Sequence, residues 1–154
     1  MKIRLAQAAD LEQLLALRLA LFADLKMPLS PEQEQQILQA NRDYFTQYLD
    51  SPASRTWVAD VGGQLVSVGT LALYVRAPHP RNLTGKEAYL LNMFTVQGFR
   101  GQGAAKGIVQ AAKDFAFANG YPRIGLHTSV EGKPLYVGAG FVEIKNFMEV
   151  YPPA

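Results

Sequence analysis

The stretch Leu90-Leu91-Asn92-Met93-Phe94-Thr95-Val96-Gln97-Gly98-Phe99-Arg100-Gly101-Gln102-Gly103-Ala104-Ala105 decides how this chain is read, because its side-chain period changes twice within it. Ala88 to Val96 is almost continuously apolar, the pattern of a strand buried on both faces. From Ala104 onward Ile108, Ala111, Ala112, Phe115 and Ala118 fall on one helical stripe, which stops at Asn119-Gly120 and Pro122. Between the two lies a glycine turn, Arg100 to Ala105. A helix amino terminus presents unpaired backbone N–H groups and partial positive charge, so a phosphate placed there is stabilised by both. Gly101, Gly103, Ala104 and Ala105 remove the side chains that would obstruct its approach, and the Arg100 guanidinium stands at the mouth.

Other phosphate-binding turns fit this stretch less well. A P-loop needs Gly-Lys-Ser/Thr, which is absent, and the dinucleotide fingerprint needs a glycine where Lys106 stands. It also needs an acidic residue about 20 positions further on, where Tyr121 to Arg123 supplies none.

Outward toward the amino terminus, Lys2 to Ala6 alternates as a half-buried strand does, and Asp10 precedes the pattern Leu11, Leu14, Leu15, Arg18, Leu19, Phe22. That spacing predicts an amphipathic packing helix over Leu11 to Leu25. Ser30 and Pro31 open a second helix that continues from Glu32 to Asp50. Thr56 to Asp60 and Leu65 to Tyr74 flank Gly62-Gly63 as a hairpin, and Arg76 to Lys86 is a loop carrying Pro78, Pro80 and Gly85. Toward the carboxyl terminus the pattern predicts a strand over Arg123 to Ser129, a short helix over Pro134 to Ala139, and a final strand over Phe141 to Tyr151. This order predicts one mixed α/β domain over residues 1–154, a sheet of six or seven strands covered by helices.

Composition narrows the chemistry. With 154 residues, 49% hydrophobic, the chain has the size of one domain. Fifteen Lys and Arg against thirteen Asp and Glu give a charge of +2, too small for a broad nucleic-acid or membrane surface, so neither partner is expected. Cysteine is absent, which removes disulfides, thiolate nucleophiles and Cys-type metal sites. His79 and His127 are far apart and show no ligand spacing, so no metal is expected. Met1 to Asp10 does not read as a signal peptide, and the uncharged run between Asp60 and Arg76 is shorter than the ~18 residues of a spanning helix. A cytoplasmic location is the resulting expectation.

Arg100 to Ala105 resembles the signature of the GNAT superfamily of N-acetyltransferases: Arg or Gln, two residues, Gly, one residue, Gly or Ala. Asn92 to Phe99 is similar to the family's strand and approach to that turn, although a proline is commoner near Gln97 or Gly98. A second block, Leu126-His127-Thr128-Ser129 with Pro134-Leu135-Tyr136-Val137-Gly138-Ala139-Gly140-Phe141, resembles the family's fifth strand and its Leu-Tyr-x-x-x-Gly-Phe helix. The resemblance runs from about Ala88 to Val142 and implies a mostly antiparallel mixed sheet flanked by about four helices.

It also implies acetyl-CoA as cosubstrate. The amides of Gly101, Gln102, Gly103, Ala104 and Ala105, with Arg100, would hold the pyrophosphate. The main chain of Thr95 and Val96 would pair with the pantetheine arm, and Ser129 would stand where relatives carry an asparagine that bonds it. Tyr136 matches the tyrosine beside the sulfur, where a phenol can protonate a departing thiolate. The glutamate that the family often uses as base is missing from Leu90 to Thr95, so Asn92 would orient a water, with Glu87, Glu131 or His127 as further proton acceptors. Lys106 and Lys113 are candidates for the adenosine 3′-phosphate.

The expected function is acetyl transfer to a primary amine of a small molecule or peptide, by direct attack in a ternary complex. A non-catalytic acyl-CoA sensor is the alternative, and a nucleotide-binding module a weaker third. Family members are often dimers, so a homodimer is one expected assembly, although no apolar stripe in the sequence compels it. The residues name neither the amine nor the length of the acyl group.

Overall fold

The computed structural model describes residues 1–153. Strand β1 (Lys2–Leu5) is followed by helices α1 (Leu11–Asp24) and α2 (Pro31–Tyr48), and then by β2 (Ser54–Val61), β3 (Gln64–Val75) and β4 (Lys86–Thr95). Helix α3 (Ala104–Ala118), β5 (Ile124–Gly125) and α4 (Lys133–Gly138) complete the regular elements. The strands lie in the order β1-β2-β3-β4-β5, antiparallel except for the parallel pair β4-β5.

Local chemistry sets several of these boundaries. Ser30 Oγ accepts from the Gln33 N–H at 3.2 Å while the Gln33 side chain accepts from the Ser30 N–H at 2.9 Å, so α2 opens on a reciprocal cap with Pro31 in its first turn. Strands β2 and β3 bury both faces. Trp57, Ala59, Val66 and Leu71 pack under Ile108, Val109 and Ala112 of α3. Val58, Leu65 and Val68 face the other way, onto Leu14 and Leu17 of α1 and Phe45 of α2. Alternation along β2, and along β3 on either side of the register shift at Val66, therefore divides one sheet between two helical layers.

Between β3 and β4 the register shifts. Val68 stands opposite Phe94 but Thr70 opposite Leu91, so β4 carries one more residue than β3 across this interval. Asn92 absorbs it in the left-handed region, at φ 57°. Opposite the bulge, a Cβ on Gly69 would stand 2.3 Å from Met93 Sδ and 2.6 Å from Ile108 Cγ2, so only glycine leaves room for Met93 and α3 together. A bulge bends its strand. Correspondingly, β4 meets β5 at two rungs only, Ala88 with Ile124 and Tyr89 with Gly125, and the strands then separate.

The fold class is the expected mixed α/β one, but the sheet has five strands among the described residues, not six or seven. Arg123 to Ser129 is strand only over Ile124–Gly125, because β4 bends away and offers no further ladder. Phe141 to Tyr151 is not a strand at all. Phe141 packs on the core and Phe147 meets His127, but Val142, Met148 and Val150, 84%, 93% and 94% exposed, have neither a ladder nor a face to bury against, and β-type side chains alone do not make a strand.

Gly69→Ala is expected to cost about 1–3 kcal/mol in urea unfolding, the usual penalty for overpacking a full core. Combined with Met93→Ala, the two losses should fall short of additive, since the second change removes the atom the new methyl meets.

Candidate active site

The separation of β4 from β5 opens a cleft of about 650 Å³. Its walls come from the bulged half of β4, the turn Arg100 to Ala105, the start of α4 and the last turn of α1. Asn92, Thr95, Arg100, Gly101, Gly103 and Ala104 line it, as do Ala105, Ser129 and Tyr136. Gln102 and Val96 do not line it.

The glycine turn is built as an array of donors. Gly101 and Gly103 sit at φ 73° and 88°, and a Cβ on either would meet nothing within 4 Å. They supply conformation and leave open space in front of the backbone. From Gly101 to Lys106 no backbone N–H reaches a protein acceptor among the described residues, and the first that does is Gly107, donating to the Gly103 carbonyl at 2.9 Å. No side chain caps α3. Six consecutive amides at a helix amino terminus beside a cleft form a site for anionic oxygens, so the turn fits a pyrophosphate.

Arg100 is tied down. Its Nε donates to the Thr95 carbonyl at 3.0 Å, its Nη2 lies 2.8 Å from Asp24 Oδ1, and its guanidinium lies near the Phe94 ring. The guanidinium thus fastens the turn to β4 and to the end of α1.

Strand register distinguishes Thr95 from Val96. The Val96 N–H donates to the Val66 carbonyl of β3 at 2.9 Å and the Val96 carbonyl accepts from the Phe99 N–H of the following turn at 2.8 Å, so both of its main-chain groups are occupied. Antiparallel alternation turns the main-chain groups of Thr95 the other way, toward the cleft. Its carbonyl already accepts from Arg100, and its hydroxyl bonds Ser67 Oγ at 2.8 Å.

Asn92 Oδ1 accepts from Arg18 Nη1 at 2.8 Å, and its Nδ2 donates to Thr70 Oγ1 at 3.4 Å. Arg18 is a contact that sequence reasoning missed; its signal was an arginine on the apolar stripe of α1. Ser129 Oγ accepts from the Gly132 N–H at 3.1 Å, which starts the turn into α4. Tyr136 is 8% exposed, its ring set edge-on to Phe141. Its hydroxyl has no hydrogen-bond partner in the protein among the described residues, yet is not sealed from solvent. Burial raises the pKa of this phenol, which keeps its proton in place.

The remaining candidates separate. Glu131, Lys106 and His127 line the cleft; His127 bonds the Tyr89 hydroxyl and stacks on Phe147. Glu87 is buried, 2.7 Å from Arg76 and 3.3 Å from the Asn82 amide, and has no place in the cleft. Lys113 donates to the Ala139 carbonyl at 2.6 Å and so closes α4. Among the described residues no group of three or more His, Asp or Glu could hold a metal.

A sheet that parts beside a donor-lined turn is the arrangement of one acetyltransferase class, and the chain belongs to it. The sequence profile of the acetyltransferase (GNAT) family matches residues 19–141. The rat N-acetyltransferase 8B is 36% identical over 103 residues, 64% of this chain and 44% of that protein. Rat N-acetyltransferase 8 is 34% identical over 113 residues, 70% of this chain and 49% of that protein, so the chain spans less than half of either relative. Among solved structures, a predicted acetyltransferase of Clostridium acetobutylicum crystallised with acetyl-CoA superposes with a TM-score of 0.86 at 25% identity, covering 97% of this chain and 95% of that one. A GCN5-related N-acetyltransferase of Ralstonia eutropha JMP134 shares the fold, with a TM-score of 0.82 at 22% identity over 97% of each chain.

Gly101→Ala and Gly103→Ala should each destabilise the protein by about 1–2 kcal/mol, the cost of the left-handed conformation for an L-residue, since no clash is added. Urea unfolding of the two variants checks this.

Proposed function

We propose that the chain transfers the acetyl group of acetyl-CoA to a primary amine by direct attack in a ternary complex, acting as one GNAT domain. The observation that carries the reading is the row of six unpaired amides, Gly101 to Lys106, of which all but that of Gln102 belong to residues lining the cleft that also holds the partnerless phenol of Tyr136. The amides and the dipole of α3 would receive the pyrophosphate oxygens, and the main chain of Thr95 would lie along the pantetheine arm. Bound there, the cosubstrate supplies an activated acetyl carbonyl as a thioester.

Transfer needs a neutral amine, a C–N bond formed as the C–S bond breaks, and a proton for the sulfur that leaves with the electron pair. Tyr136 supplies that proton, for which its raised pKa and free hydroxyl suit it. Asn92 keeps a second Nδ2–H to orient a water that takes the proton lost by the amine. Asp24 in the cleft is held by Arg100, and Glu131 is the cleft carboxylate left to pass it to solvent. Because Asn92 is no base, a second reading as a non-catalytic acyl-CoA sensor predicts the same binding with no turnover of any amine.

Gly103→Asp and Gly101→Val are expected to abolish coenzyme A binding in calorimetry, the first by adding negative charge and the second by blocking the turn. Unchanged affinity would place the pyrophosphate elsewhere. Tyr136→Phe keeps the ring and its packing, so melting temperature and coenzyme affinity should hold while kcat falls roughly 10²- to 10⁴-fold. A lowered melting temperature with intact kcat would make the residue structural.

A further inference from the structure

Arg18 carries a positive charge that the protein does not neutralise. It sits half-buried on α1, with Nε donating to Asn41 Oδ1 at 2.9 Å, Nη1 to Asn92 Oδ1 at 2.8 Å, and the guanidinium 4.6 Å from the centre of the Phe22 ring. Every one of these partners is neutral. The carboxylates of α1 are engaged elsewhere, Glu12 by Arg42 and Asp24 by Arg100, and no described carboxylate lies within ion-pair distance of Arg18. Its Nη2 has no hydrogen-bond partner among the described residues. Desolvation lowers its pKa, yet a guanidinium stays charged in proteins. A half-buried charge with neutral neighbours is costly unless something else supplies the counter-charge.

The position of Arg18 says where that charge would come from. Arg18 stands behind the cleft wall, while Leu21 of α1 and Leu25 at its carboxyl end line the cleft, three and seven residues further along the same side. Across from that face, Asn92 joins Arg18 to the cleft wall through one hydrogen bond. The asparagine side chains leave the guanidinium little freedom: Asn41 is itself fixed, donating to the Ile37 carbonyl at 2.8 Å. One fixed guanidinium matches one monoanion, whereas a phosphate dianion calls for more cations than this end of the cleft has.

We propose that Arg18 receives the carboxylate of the acceptor, so that the amine acetylated is that of a free amino carboxylate, such as an α-amino acid with an apolar side chain. This rests on the acetyltransferase reading and names its substrate class. The α-amino and carboxylate groups are joined through one carbon, which suits an acceptor whose carboxylate meets Arg18 while its amine lies beside Asn92. Leu21 and Leu25, which line the cleft, favour an apolar side chain.

The test uses phenylalanine, phenylalaninamide and phenethylamine as acceptors for the full chain with acetyl-CoA. The amide mimics a peptide amino terminus, and its less basic amine is neutral more often, so amine availability alone would favour it. The wild-type protein should instead prefer phenylalanine in kcat/KM by about 10- to 100-fold, the scale of a hydrogen bond between charged groups. Arg18→Gln should remove that preference, leaving the other two acceptors and coenzyme A affinity within about twofold, and Arg18→Lys should restore part of it. Equal use of phenylalanine and its amide by the wild type would overturn the assignment, as would an Arg18→Gln variant that loses all acceptors alike, the mark of a strut between α1, α2 and β4. Calorimetry of phenylalanine and its amide with the coenzyme A complex reads the same preference without turnover. Weaker phenylalanine binding in Arg18→Gln supports the assignment even where catalysis is absent, and no selective binding refutes it. Failure to bind coenzyme A or to acetylate any amine counts instead against the acetyltransferase reading.

Discussion

The one extra residue of β4, placed opposite Gly69, is the constraint on which the cleft depends. A sheet strand normally satisfies both edges, and β4 would do so if it ran straight between β3 and β5. The bulge at Asn92 keeps the β3 ladder intact up to Thr95 but turns the strand away from β5 after two rungs. The missing side chain at position 69 makes this affordable, since Met93 and Ile108 already fill the space a methyl would need. Cleft and core are therefore consequences of the same packing decision.

Two kinds of unsatisfied group are then gathered along the opening. The amides of Gly101 to Lys106 are orphans of helix geometry, and no side chain is spent on capping them. Tyr136 and Arg18 are orphans of tertiary packing, one a phenol without a partner and the other a cation among neutral groups. Elsewhere the chain matches its polar groups closely: Arg4 holds Asp10 and Asp60, and Glu87 lies between Arg76 and Arg123. Paired charges hold the scaffold, and away from the cleft Ser54 Oγ is the buried side-chain polar atom left without a partner among the described residues.

The GNAT relationship covers most of the chain, but the parts that would choose an acceptor lie on α1 and at the bulge. Arg18, Asn41 and Asn92 come from three separate elements, with the guanidinium held between the two asparagines. Asp24 and Arg100 form a second tie between α1 and the turn. Helix α1 is thus tied both to the bulged strand and to the glycine turn, and a shift of that helix would move both walls of the cleft together.

The local features were legible in the sequence. The glycine turn, the helix from Ala104, the cap at Ser30 and the hairpin of β2 and β3 each depend on residues close in the chain, so their side-chain patterns carry the information. Features that depend on distant pairing were not. Phe141 to Tyr151 has the composition of a strand, but a strand exists only where another offers a ladder. Glu87, a candidate proton acceptor in the sequence, is buried away from the cleft, where Arg76 and Arg123 converge on it from different segments. Whether Thr95 or Val96 faces the cleft follows from the register with β3, which one residue of bulge resets. Arg18 was visible only as a charge on an apolar stripe. That it reaches Asn92 across 74 positions of sequence was decided by the packing of α1 on the bulged strand, because a guanidinium's partners are set by what folding brings within about 3 Å of it.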